Sequence, residues 1–148
     1  MKRKSRIADF RASVMVPAPI SEVWEKLVDW KSQGDWMALT KVTSSADVDG
    51  LSGVGTTISA FTGIRRIGIW DEMKISAWSP ETFCAVDHLG RWIKGIGEFR
   101  LTVVDQNRTR FDWYERIDAP TVILALIKPG VLIAVNYSLA KFARGFSD

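Results

Sequence analysis

The sequence predicts an α+β domain in which one curved antiparallel sheet wraps around a long C-terminal helix. Three observations predict it. Between residues 67 and 117, four long segments follow one another, each closed by a turn signal ("SPE", "LGR", "DQNR", "DAP"). Near the start of the chain, after a first strand, the apolar period changes from two to helical spacing. The chain then closes on an apolar stretch from 120 to 146, the only element long enough to cover the sheet.

Taken in order, residues 9–16 alternate Phe10, Ala12, Val14 and Val16 against Arg11, Ser13 and Met15, a strand that Pro17 and Pro19 stop. In "PISEVWEKLVDW", Ile20, Val23, Trp24, Leu27 and Val28 share a helical face, and Pro19 suits its first turn. "KSQGDWM" reads as a short helical turn, giving two short N-terminal helices, and Trp30, Trp36 and Met37 are placed to close one end of a cavity. "LTKVTSSADVDG" reads as a strand ending in a turn, "GLSGVG" as a flexible loop, and "TTISAF" as a short strand followed by a turn at Thr62-Gly63. The four long segments, 67–79, 82–90, 93–106 and 109–117, then form a meander. The tail is helical, with a break at "KPG" and a stripe of Val131, Val135, Leu139, Phe142 and Phe146. A 13-residue strand spans roughly 40 Å at about 3.3 Å per residue, whereas a helix is only about 10 Å wide. A sheet of such strands curled around one helix leaves a groove or an apolar cavity.

Composition narrows the function classes. A chain of 148 residues makes one domain, able to bury about two-thirds of its unfolded surface. Seven Trp suit a thick core or a pocket wall. The formal charge of +3 comes from the N-terminus: Lys2, Arg3, Lys4 and Arg6 are four of 20 basic residues, and the remaining 16 face 17 acidic ones. The body has no basic excess for nucleic acid, and residues 1–6 read as a basic flexible tail. One Cys and one His exclude an internal disulfide and a Cys/His zinc cluster, so no metal or cofactor is expected. No secretory signal is visible, which makes a cytoplasmic location the default. The apolar run at 122–140 carries Lys128, Pro129 and Gly130 near its centre; a central Lys costs a spanning helix about 2.5–3.5 kcal/mol, so a groove-covering helix is expected there instead of a membrane span.

The order strand, helix, helix, meander, long helix resembles the START-like, or SRPBCC, superfamily with its helix-grip fold, which includes polyketide cyclases and lipid-transfer domains. "VPAPISEVWEKLVDW" is similar to that family's first strand-to-helix segment, "WSPETFCAV" to the link where a proline starts the next strand, and "GIGEFRLTVVDQNRTRFDWYERID" to its paired late strands. "DEMKISAWSPETFCAVDHLGRWIKGIGEF" resembles bacterial members described only as polyketide cyclase/dehydrase proteins. The resemblance covers nearly all of residues 1–148, as a single domain. It implies a hydrophobic pocket between the concave sheet face and the last helix. Carried over, Phe61, Ile69, Met73, Ile75, Val86, Phe99, Leu101, Phe111 and Trp113 line that pocket from the sheet. Val131, Val135 and Leu139 face them from the helix, and Trp36 closes an end.

The polar residues on those faces carry the chemistry. Asp71 shares parity with Ile69, Met73 and Ile75, and Glu115 shares parity with Phe111 and Trp113. His88 shares parity with Cys84 and Val86, but Phe83, Ala85 and Leu89 make the opposite face equally apolar, so its direction stays open. A buried carboxylate needs a proton or a partner, and His88, Arg65, Arg66 and Arg91 are the available partners. Three roles follow for Asp71, His88 and Glu115: structural pairing at the rim, orientation of a mostly apolar ligand, or acid–base catalysis on a polyketide-like or ketonic substrate. The functional expectation is binding of a hydrophobic small molecule such as a lipid, isoprenoid or polyketide-like compound. An aromatase/cyclase-type enzyme and a protein-partner module are the alternatives. An enzyme would bring Glu115 or Asp71 within hydrogen-bond reach of His88 and open to the pocket. A partner protein would show a filled core and an exposed apolar patch.

Overall fold

The strand with the strictest alternation, Arg108–Pro120 (β7), is central to the architecture: it pairs antiparallel with Ser5–Val16 (β1) on one side and Lys94–Asp105 (β6) on the other. A computed structural model describes residues 5–147. Beyond β6 the sheet continues through Phe83–Leu89 (β5), Ile67–Ser79 (β4), Thr57–Ile64 (β3) and Thr40–Ser44 (β2), giving seven strands in the order β1-β7-β6-β5-β4-β3-β2. All neighbours are antiparallel. Helices Ile20–Leu27 (α1), Gln33–Trp36 (α2) and Ala46–Asp49 (α3) lie between β1 and β3, and Thr121–Arg144 (α4) closes the chain.

The solid part of the core lies under α1. Val23 and Leu27 from α1 meet Val16, Ile75, Leu101 and Phe111 from the sheet, all fully or nearly fully buried. Phe142 of α4 stacks edge-on against Phe111 and Trp36, with ring centroids 5.6 and 4.8 Å away. Thr109, also buried, donates its hydroxyl to the Ala18 carbonyl at 2.9 Å and so ties the β1–α1 link to β7. α4 packs chiefly along β1, which leaves its sheet-facing side free to roof a space over the other strands.

Four details differ from the sequence expectation. β1 starts at Ser5, not at 9, because β7 runs on to Pro120 and offers Pro120 and Ala119 as partners for Ser5 and Arg6. Arg6 is therefore strand; Lys2, Arg3 and Lys4 of the expected tail lie outside the described residues. Thr62 and Gly63 are ladder residues, paired with Ile69 and Gly68, and the chain reverses at Arg65-Arg66 with Arg65 at φ 56°. The reason is steric: Gly63 and Gly68 cross so closely that a Cβ on Gly63 would stand 2.5 Å from the Gly68 Cα, so two glycines let the hairpin extend past the expected turn. Residues 46–49 form a helical turn, where an open turn was expected. Finally, α4 runs unbroken through Pro129. Proline forfeits the bond to the Ala125 carbonyl, but Ala125 and Pro129 are exposed, so water can serve that carbonyl.

Candidate functional site

The inner face of β6 reads Gly95, Gly97, Phe99, Leu101. Two bare positions followed by two bulky ones give that face a hollow at one end and solid packing at the other. Into the hollow projects His88 of β5, opposite Gly95 in the ladder, with its side chain only 1% exposed. A Cβ on Gly97 would stand 3.5 Å from His88 Nε2 and 3.6 Å from Glu115 Cγ. The glycines thus make the room that the imidazole and Glu115 use.

His88 stands between two carboxylates. Nδ1 lies 2.8 Å from Asp71 Oδ1 in a hydrogen bond, and Nε2 lies 3.2 Å from Glu115 Oε1, at ion-pair distance but without hydrogen-bond alignment. The carboxylates are 23% and 19% exposed and reach the cavities described below. Burial pulls the imidazolium down, but the Asp71 and Glu115 carboxylates outweigh it, and His88 is pushed from its ordinary 6.5 up to about 10. His88 is therefore an imidazolium at neutral pH, held between two carboxyl groups. The imidazole separates the carboxylates, so the three do not converge on one point. Among the described residues no group of three His, Cys, Asp or Glu could hold a metal.

Above the cluster, between the sheet and α4, lies a cavity of about 220 Å³. A more enclosed space of about 90 Å³ adjoins it toward Met73, Val86 and Phe99. Both touch Met37, Thr40, Thr62, Asp71, Trp113 and Glu115, so the carboxylates stand where the two meet. The walls are mostly apolar. Trp36 borders the larger space and its buried Nε1 has no hydrogen-bond partner. Ser138 donates to the Ala134 carbonyl at 2.7 Å and accepts from the Ala38 amide at 2.9 Å, which fixes α4 to the segment after α2.

Of the residues that the sequence suggested as lining, Trp36, Ile69, Asp71, His88, Trp113, Glu115, Val131, Val135 and Leu139 border the larger cavity. Met73, Val86 and Phe99 border the smaller one. Four do not border either. Phe61 points to the convex face, where its ring meets Trp70 at 5.1 Å, because its ladder partner is Trp70 while Asp71 pairs with its neighbour Ala60. Ile75, Leu101 and Phe111 share the concave face but lie at the end filled by α1 and Phe142, inside the solid core. The carboxylates meet His88; among the described residues Arg65, Arg66 and Arg91 make no ion pair with them. The sequence reading passed over Ile93, Ile117 and Ile127, which also line the larger cavity. Ile117 follows Glu115 by two along β7, and Ile127 precedes Val131 by one helical turn, so both signals were present. Cys84 borders the smaller cavity, and burial pushes its thiol up to about 12.

No family model matches the chain, and no curated protein matches it. Solved structures do. The Zhui aromatase/cyclase from Streptomyces sp. R1128 is 17% identical, with 94% of this chain and 95% of that one covered at a TM-score of 0.71. Truncated norcoclaurine synthase from Thalictrum flavum is 11% identical, over 100% and 98% of the two chains at 0.72. A START superfamily protein from Mycobacterium smegmatis is 10% identical, over 94% and 99% at 0.73. At these identities the likeness establishes the fold: the chain has the START-like, helix-grip architecture.

Proposed function

We propose that the protein binds a hydrophobic small molecule, such as a lipid, isoprenoid or polyketide-like compound, in the space between the sheet and α4. The observation that carries this reading is the cavity of about 220 Å³ whose apolar walls end on the Asp71–His88–Glu115 cluster. A mostly apolar cleft with a small number of fixed polar groups is the usual make-up of a small-molecule site. The carboxylates favour a ligand whose polar end donates hydrogen bonds or carries positive charge. The experiment is native mass spectrometry of the purified protein, with extraction and identification of any retained compound and a thermal-shift panel of lipids, isoprenoids and polyketide-like compounds. A retained apolar ligand or a specific shift supports the reading; no retained compound and no shift from any panel member sinks it.

One observation favours a second reading, an aromatase/cyclase-type enzyme: both carboxylates lie within reach of His88 and are partly open to the cavity. A neighbour in fold is itself an aromatase/cyclase. Against it, a proton held to about pH 10 is released reluctantly near neutrality, where acid–base groups work best with a pKa close to the working pH. That mismatch is why binding is the first reading. His88→Ala and Glu115→Gln decide between them once a substrate is in hand: turnover lost with ligand affinity kept makes the site catalytic, and turnover unchanged in both variants removes the catalytic roles.

A further inference from the structure

The larger cavity opens at one end of the fold, where the β3–β4 turn, the β5–β6 turn and the first half of α4 come together: Ile69, Ile93, Ile127 and Val131 line it from these three segments. Just outward of those residues the surface is apolar. Ile67 at the β3–β4 turn is 84% exposed, and Leu126 and Ile133 on α4 are 76% and 73% exposed. Leu39 and Trp92 are also exposed, and Leu39 is tied to the end of β3 by the hydrogen bond that its carbonyl accepts from Gly63 at 2.9 Å. Only 17% of the most apolar 18-residue stretch of α4 is buried. A patch of this kind at the mouth of a pocket marks a contact surface.

Within its two turns and α4 the charges are of one sign, and Glu72 lines a surface pocket at its edge together with Arg91 and Trp92. Arg65, Arg66, Arg91 and Lys128 are exposed among these apolar side chains, while residues 64–70, 89–96 and 121–147 contain no Asp or Glu. The nearest exposed acid on β4, Glu72, points to the convex face and accepts from Ser59. Apolar side chains with one aromatic residue at the rim and a flanking set of guanidinium and ammonium groups match the boundary of a bilayer with negative headgroups. A second copy of this chain fits poorly, because a two-fold contact would set the same four cations against themselves.

We infer that this rim is a docking surface for a membrane containing anionic lipid, on which the cavity mouth faces the bilayer. The inference stands on the surface alone and holds whether or not the cavity takes the ligand class proposed above.

Co-sedimentation with vesicles of phosphatidylcholine, with and without phosphatidylglycerol, tests it. The expected result is association with the mixed vesicles that weakens as salt is raised. Arg65→Ala with Arg66→Ala should lower the partition coefficient on the order of twentyfold, since each cation near such a surface contributes about fivefold. Ile67→Asp should lower it further. Val48→Ser, which removes an exposed apolar side chain from α3 between Asp47 and Asp49, should leave it unchanged. Cys84 protection from thiol reagents checks that each variant is folded. Failure to bind mixed vesicles at low salt overturns the inference, as does an equal loss in Val48→Ser. So does a dimer in sedimentation velocity that Ile67→Asp dissociates without any vesicle binding, which would assign the face to a second copy.

Discussion

Gly97 and Glu115 face each other across the β6–β7 ladder, and the space above Gly97 is where the His88 imidazole approaches the Glu115 carboxylate. A side chain at 97 would have its Cβ 3.2 Å from Val86 Cγ2 as well. Gly97→Val should therefore force His88 away from Glu115 and cost about 1–3 kcal/mol by overpacking. The checks are a denaturation curve and the imidazole titration by NMR, in which the His88 pKa should fall. A His88 titration unchanged from the parent would contradict this account of Gly97.

The pH dependence of stability follows from the same cluster. His88 has a folded pKa of about 10 against 6.5 in its ordinary state, so the folded protein holds a proton that the unfolded chain releases. That contribution is complete below about pH 6.5 and is lost as pH rises through about 10. The parent should lose stability relative to His88→Gln over that window, by an amount on the order of a few kcal/mol. Parallel denaturation curves for both proteins against pH measure it; equal slopes would show that His88 is not held protonated.

The two carboxylates are not equivalent. Asp71 makes the aligned hydrogen bond at 2.8 Å, whereas Glu115 sits at 3.2 Å without alignment. Asp71→Asn should lower the imidazole pKa more than Glu115→Gln does. Either change leaves the buried imidazolium with one carboxylate partner instead of two and should destabilise the fold at neutral pH by about 1–3 kcal/mol, the worth of one charge-assisted contact. Imidazole titrations of the two variants rank them, and the reverse order would refute the assignment.

Cys84 is 1% exposed, and burial raises its thiol to about 12. As the single cysteine of the chain, it should react with a thiol reagent only when the fold opens, so the labelling rate should follow the population of opened molecules across a denaturant series. Fast labelling of the native protein would show that the smaller cavity admits the reagent.

Much of this architecture was legible because a pleated strand sorts its side chains by parity. Asp71 and Glu115 could be set on the concave face from the alternation of their neighbours alone. His88 could not, since the outward residues Phe83, Ala85 and Leu89 are as apolar as the inward ones; Leu89 proves exposed and His88 buried. Parity also gives a face without giving depth. Ile75, Leu101 and Phe111 share a face with the cavity residues yet lie in the packed end, a distinction set by where α1 and Phe142 come to rest. Phe61 was misplaced together with the turn after it: with the strand drawn three residues too short, its pairing with Trp70 was out of view. The apolar rim was hidden because the tail, read alone, looks like a core helix, and only its position on β1 shows how much of it faces outward.

The proline within α4 gives the roof of the cavity an uneven mechanical character. With no N–H at Pro129 the rung to Ala125 is missing, and the flanking turns carry exposed apolar side chains with few buried contacts, in contrast to Ser138, Leu139, Phe142 and Ala143 farther along. Amide hydrogens around 125–133 should therefore exchange with deuterium well before those at 139–143. The helix thus combines an anchored half with a half that yields, and the yielding half is the one that stands over the entrance.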